Sequence, residues 1–88
     1  MESNIQKKIL RYLKDIGAYA VKTMVSSRNG TPDILCCFNG RFYAFEVKDI
    51  LGKATELQGY NIRLIQKAGG RASVVRCVND VKQILMEG

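Results

Sequence analysis

Asp33-Ile34-Leu35-Cys36-Cys37-Phe38-Asn39-Gly40-Arg41-Phe42-Tyr43-Ala44-Phe45-Glu46-Val47-Lys48 is the stretch whose reading decides the fold. Asn39-Gly40 is the strongest two-residue hairpin signal a sequence offers, because both central residues of a type I′ turn need positive φ. A two-residue loop at that point sets Phe38 opposite Arg41, Cys37 opposite Phe42 and, at the far end, Asp33 opposite Glu46. Opposed residues hold their Cβ atoms about 4.5 to 5.5 Å apart, and like charges kept there destabilise a sheet unless a cation lies between them. Lys48 shares the face of Glu46, since side chains alternate along a strand. Two carboxylates and an ammonium therefore meet by register alone, an arrangement that suits a hard metal ion and hydrolysis of a phosphodiester.

The same register puts Leu35, Cys37, Phe42 and Ala44 on the face of the acids. Ile34, Cys36, Phe38, Tyr43, Phe45 and Val47 fall on the other. Both faces are mostly apolar, which predicts strands in the middle of a sheet covered on both sides.

Outward from the hairpin, the chain reads as alternating elements. Ser3 is the expected cap of a first helix in which Ile5, Ile9, Leu10, Leu13 and Ile16 recur near helical spacing, and Gly17 supplies its stop. Lys7, Arg11 and Lys14 form one cationic stripe away from that apolar face. Tyr19 to Val25 alternates with β-branched side chains and predicts a strand. The run from Ser26 to Pro32 is a loop by composition, with Thr31 held extended by the proline after it. The hairpin strands are expected over Asp33–Phe38 and Arg41–Lys48.

Beyond the hairpin, Thr55-Glu56-Leu57-Gln58 fits a capping box, with Thr55 as N-cap and Gln58 at N3. The helix it opens should run through Leu64 and Ile65 to the stop at Gly69-Gly70. Arg71 to Val78 predicts a fourth strand, and Asn79 the cap of a short closing helix through Val81, Ile84 and Leu85. The order is αβββαβα, and the crossover between Glu46 and Val78 makes those two strands parallel.

Composition narrows the class. Eighty-eight residues make one domain, with nearly half of them apolar. No run approaches the roughly 18 apolar residues of a membrane span, and MESNIQKKIL lacks the order of a signal peptide, so a soluble, cytoplasmic protein is expected. The three cysteines leave an odd count and the chain has no histidine. With no C-x-x-C either, the donor set of a structural zinc site is missing. General acid-base work then falls to carboxylates, lysine, tyrosine or activated water. A formal net charge of +6 with basic residues in every segment is the footprint of a nucleic-acid binder.

The residues Gly30-Thr31-Pro32-Asp33, then Glu46-Val47-Lys48, then Gln58, with Glu2 opening the first helix, resemble the PD-(D/E)xK nuclease superfamily. Within it they resemble the virus-type replication-repair nuclease (VRR-nuclease) domain, and the small stand-alone, phage-encoded members are similar along essentially the whole chain, residues 1–88. The resemblance implies an α/β, restriction-endonuclease-like αβββαβ core, a central mixed sheet flanked by helices, with a short extra C-terminal helix. It implies that Asp33 and Glu46 bind Mg²⁺ or Mn²⁺ directly with the backbone carbonyl of Val47, and that Glu2 is an outer or second-metal carboxylate. Lys48 would orient or deprotonate the attacking water, and Gln58 would position the lysine or a water. Lys22, Ser27, Arg28 and Lys53 flank this set as phosphate contacts. The implied activity is a metal-dependent DNA endonuclease acting as a homodimer on branched DNA such as four-way junctions, in the bacterial host cell if phage-encoded. Tyr12, Met24, Tyr60 and the last helix are the expected interface contributors.

Plainer readings stand beside these. Glu46 and Lys48 also make a same-face ion pair, a contact worth under about 1 kcal/mol at a surface. Asp33 also suits a turn after Pro32, and Gln58 suits no more than the capping box. A non-catalytic DNA-binding module, a nicking or flap-directed nuclease, and an accessory interaction protein all fit the charge and size.

Overall fold

The computed structural model describes residues 1–87. Helix α1 (Glu2–Asp15) is followed by β1 (Tyr19–Lys22), β2 (Ile34–Phe38), β3 (Arg41–Val47), α2 (Glu56–Lys67), β4 (Arg71–Val75) and α3 (Val78–Glu87). The four strands form one mixed sheet in the order β1-β2-β3-β4, antiparallel up to β3 and parallel between β3 and β4. No helix among the described residues is long and apolar enough to cross a membrane.

The hairpin takes the register its turn dictates. Phe38 pairs with Arg41, Cys36 with Tyr43 and Ile34 with Phe45, while Asn39 and Gly40 adopt φ of 55° and 79°. Alternation then sorts the side chains. Ile34, Cys36, Tyr43, Phe45 and Val47 join Val75 under α1 and α3, where Ile9, Leu13 and Val81 complete a fully buried core. Burial pushes the Cys36 thiol up to about 11, with Cys37 adding to the effect, so Cys36 behaves as a small apolar side chain.

The opposite face is covered less completely than alternation suggests. Helix α2 packs chiefly on β4 and β3. Phe42 therefore stays 44% exposed and Cys37 is open to solvent.

Several boundaries move, each for a local reason. Strand β1 ends at Lys22 rather than Val25, because Thr23 turns inward: its N–H donates to the Asp33 carbonyl (2.8 Å) and its hydroxyl to the Pro32 carbonyl (2.7 Å). Helix α1 starts at Glu2, so Met1 occupies the cap position and Ser3 makes no cap. Strand β4 stops at Val75, where the Asp80 carboxylate accepts from Arg76 N–H at 2.8 Å and α3 begins before Asn79. The Thr55–Gln58 capping box forms as expected, and Gly17 and Gly69 end their helices at positive φ. Tyr12 is half-buried against the core, and the Lys82 ammonium lies 5.2 Å from its ring centroid. Met24 and Tyr60 are exposed, as is Met86 on α3.

Candidate active site

The hairpin delivers Asp33 and Glu46 to one end of the sheet. Asp33 lies one residue before β2, where the Asp33 Oδ2 accepts from Val47 N–H at 2.8 Å. The acid thus bonds across to the strand that carries Glu46. Its backbone is fixed from the other side by Thr23, whose hydroxyl also reaches the Asp33 carbonyl at 3.0 Å. Pro32 is fully buried.

Gly30 explains why the approach to Asp33 reads G-x-P-D. Its φ is +81°, and a Cβ there would lie 2.8 Å from Leu57 Cγ and 2.9 Å from Asn61 Nδ2. The chain passes this close to α2 because Asn61, buried in the middle of that helix, donates from Nδ2 to the carbonyls of Asn29 and Leu57, each at 2.9 Å. A loop of exposed polar residues is thereby fastened to a helix at the point where it enters the site.

Glu46 is the unusual group. It is 2% exposed, and its Oε1 is buried with no hydrogen-bond partner. Burial, then the charge and contact of Asp33, push its carboxyl up to about 7, and the Lys48 ammonium only partly offsets this. Lys48 Nζ stands 3.6 Å from Glu46 Oε2 with its side chain 14% exposed. An ion pair in this setting leaves a second carboxylate and an orphaned oxygen uncompensated, so a surface salt bridge does not describe it.

The remaining expected residues fall into two groups. Glu2 opens α1 with its Oε2 3.4 Å from Asp49 N, close to Lys48 but outside the acid pair. Among the described residues no third His, Cys, Asp or Glu joins Asp33 and Glu46 as a ligand group. Gln58 uses its Oε1 to accept from Thr55 N–H at 2.9 Å, and no hydrogen bond joins it to Lys48. Lys22 ends β1 and is exposed, Ser27 and Arg28 are exposed on the loop leading to Asp33, and Lys53 is exposed beyond Gly52. A concavity of about 780 Å³ runs along α2 from Ala54 to Arg63 and does not include the acids.

Sequence reading passed over Thr23, Asn61 and Arg76. Each acts on backbone carbonyls distant in the chain, a role that no spacing signals. Gln6, one turn after Glu2 on the same face of α1, also buries an unpartnered Oε1.

No family model matches the sequence, and no curated protein matches it. Solved structures do. A VRR_NUC domain superposes with a TM-score of 0.82 at 25% identity, covering 97% of this chain and 94% of the other. A second VRR_NUC domain protein gives 0.79 at 20% identity, with coverages of 98% and 85%. Hjc, a Holliday junction resolvase from the archaeal hyperthermophile Archaeoglobus fulgidus, gives 0.65 at 20% identity over 85% of this chain and 67% of its own. With a mixed four-stranded sheet and three helices among the described residues, and a match along nearly its full length, the chain has the fold of the VRR_NUC domain structures, which is restriction-endonuclease-like.

Proposed function

We propose that this protein is a metal-dependent DNA endonuclease that hydrolyses phosphodiester bonds, directed to branched DNA such as four-way junctions. The observation that carries the reading is Glu46, a buried carboxylate set against a second carboxylate with one oxygen left without a donor. Such a group is expensive to bury unless it serves a cation. Oxygen donors from Asp33, Glu46 and the Val47 carbonyl fit Mg²⁺ or Mn²⁺, which are held by one or two carboxylates together with water and substrate phosphate, and Glu2, now meeting Asp49 N–H, would be an outer carboxylate. When bound, an ion of this kind lowers the pKa of water and offsets charge on the attacking and leaving oxygens.

The chain's own residues do the rest. Thr23 and Val47 N–H fix Asp33 from both sides, so its carboxylate needs no reorganisation on binding. Lys48, confined beside Glu46, carries a positive charge to the position of the scissile phosphate and orients the attacking water. The exposed Lys22, Arg28 and Lys53 extend that charge along the backbone of the nucleic acid. The likeness to a Holliday junction resolvase supports the branched substrate. A two-fold dimer, with one such site per subunit, would deliver paired cuts on a substrate of matching symmetry.

The test is cleavage of a labelled four-way junction, with linear duplex and flap controls, in Mg²⁺ and in Mn²⁺. Junction cutting lost in Lys48→Ala, with binding retained, is the expected result. Tight binding without cutting of any substrate would make the protein a DNA-binding module instead.

A further inference from the structure

Of the large apolar side chains that stay most exposed, four lie in segments that adjoin the residues of the site along the chain. Ile50 and Leu51 are 86% and 87% exposed, and they follow Lys48 almost at once. Met24 and Val25, 81% and 93% exposed, follow Thr23, the residue bonded to Asp33. Exposure on this scale is ordinary in a mobile loop, but the segment carrying Ile50 and Leu51 is braced.

Asp49-Ile50-Leu51-Gly52 is a tight β-turn, closed by Gly52 N–H donating to the Asp49 carbonyl at 3.2 Å. The Asp49 side chain holds it from within: Oδ1 accepts from Leu51 N–H at 3.1 Å and from Gly52 N–H at 2.9 Å. Arg76, at the end of β4, holds it from below, its guanidinium donating to the carbonyls of Asp49 and, at 2.7 Å, Gly52. Glu2 meets Asp49 N–H from α1. There is no slack, since a Cβ on Gly52 would lie 3.3 Å from both Glu2 Oε2 and Asp49 Oδ1, and 3.4 Å from Lys48 Cβ. Glu2 from α1, Arg76 from the end of β4 and the turn's own Asp49 thus fix a turn whose two tip residues stand out in solvent.

We propose that the Asp49–Gly52 turn is a branch-point wedge, seating Ile50 and Leu51 against unstacked bases beside the phosphate presented to Asp33, Glu46 and Lys48. This inference rests on the nuclease reading above and adds the residues that choose the substrate. Rigid aliphatic side chains are the means by which proteins open a base step, and a step at a junction opens at least cost because its stacking is already interrupted. The occupant is nucleic acid rather than an apolar protein surface because the tip stands within three residues of Lys48, the two carboxylates nearest it are turned onto backbone N–H groups, and the chain carries a net charge of +6. Met24 and Val25 follow Thr23, which bonds the Asp33 carbonyl, and are a second exposed apolar pair.

The experiment uses the full chain in Ca²⁺, which holds DNA without turnover, and a four-way junction carrying 2-aminopurine at the step next to the branch. Affinity for that junction and for a linear duplex is measured by anisotropy for the unsubstituted protein, for Ile50→Ser/Leu51→Ser, and for the remote control Met86→Ser. The unsubstituted protein and the control should raise 2-aminopurine fluorescence on binding. The double variant should melt at the same temperature, bind duplex equally, lose the fluorescence rise, and lose about tenfold or more of the junction-over-duplex preference. A double variant that keeps both the preference and the rise overturns the wedge. So does sedimentation showing that the substitutions merely split a dimer, with no fluorescence change in the unsubstituted protein. Equal binding and cutting of junction and duplex by the unsubstituted protein removes the wedge but leaves the nuclease reading intact. Absence of any DNA binding removes both.

Discussion

Replacing Glu46 with glutamine should stabilise the metal-free protein at alkaline pH while abolishing cleavage. The carboxyl titrates near 4.5 when free and near 7 in the fold, the rise caused by burial and by Asp33. The native state therefore binds more protons than the unfolded chain between those values, and stability falls as pH rises through that window. At about 1.4 kcal/mol for each pH unit, the ionised group costs at most about 3 kcal/mol above pH 7 and nothing below about pH 4.5. The glutamine side chain is isosteric, never ionises, and has an amide that can donate to Asp33. The expected gain at pH 8 is about 1 to 3 kcal/mol, or roughly 5 to 20 °C in melting temperature for a domain of this size. Circular-dichroism melts in chelator between about pH 4.5 and 8.5 measure it, across the window in which the group titrates. The two proteins should coincide at the acid end and diverge upward. Magnesium at about a hundred times its dissociation constant should recover about 2.7 kcal/mol in the unsubstituted protein and nothing comparable in Glu46→Gln. Parallel pH profiles, or a variant less stable at pH 8, would refute the claim that Glu46 is held at a cost for a cation.

Three further substitutions probe the scaffold. Gly30→Ala should destabilise by about 2 to 3 kcal/mol, measured by urea titration, because its Cβ meets Leu57 and Asn61 at a positive φ. Thr55→Ala removes the acceptor for Gln58 N–H and should cost about 1 kcal/mol in the same titration, with cleavage unchanged if Gln58 serves only the cap. Thr23→Val deletes the hydroxyl bonds to Pro32 and Asp33; cleavage should fall about tenfold or more in kcat, with the melting temperature lowered by about 4 to 8 °C.

Much of this architecture was legible because its causes are local. Asn39-Gly40 imposes one turn type, that turn imposes the register, and the register carries Asp33 to Glu46 and Lys48 to the same end. Thr55 and Gln58 sit three apart and cap the helix they open. What escaped reading depends on partners far away in the chain. Thr23 leaves the strand pattern because two carbonyls of the Pro32-Asp33 segment need donors, and Asn61 looks like any polar helix residue until the Asn29 carbonyl arrives beside it. Arg76 reads as surface charge, yet it braces a turn more than twenty positions earlier. Alternation also overstated the cover on the acid face, since one helix leaves Cys37 exposed and Phe42 only partly covered.

The hairpin turn has a consequence for how this protein tolerates change in length. Asn39 and Gly40 lie exposed at the end of the hairpin remote from the acids, with open space around Gly40, the kind of tip where insertions are usually harmless. Here one added residue that shifted the pairing by a single step would turn every side chain of one strand over. Glu46 and Lys48 would rotate into the apolar core, and Val47 would take their place beside Asp33. A tip at the opposite end of the hairpin from the chemistry is thus one where an insertion or deletion is damaging, while point changes there that keep positive φ should pass unnoticed.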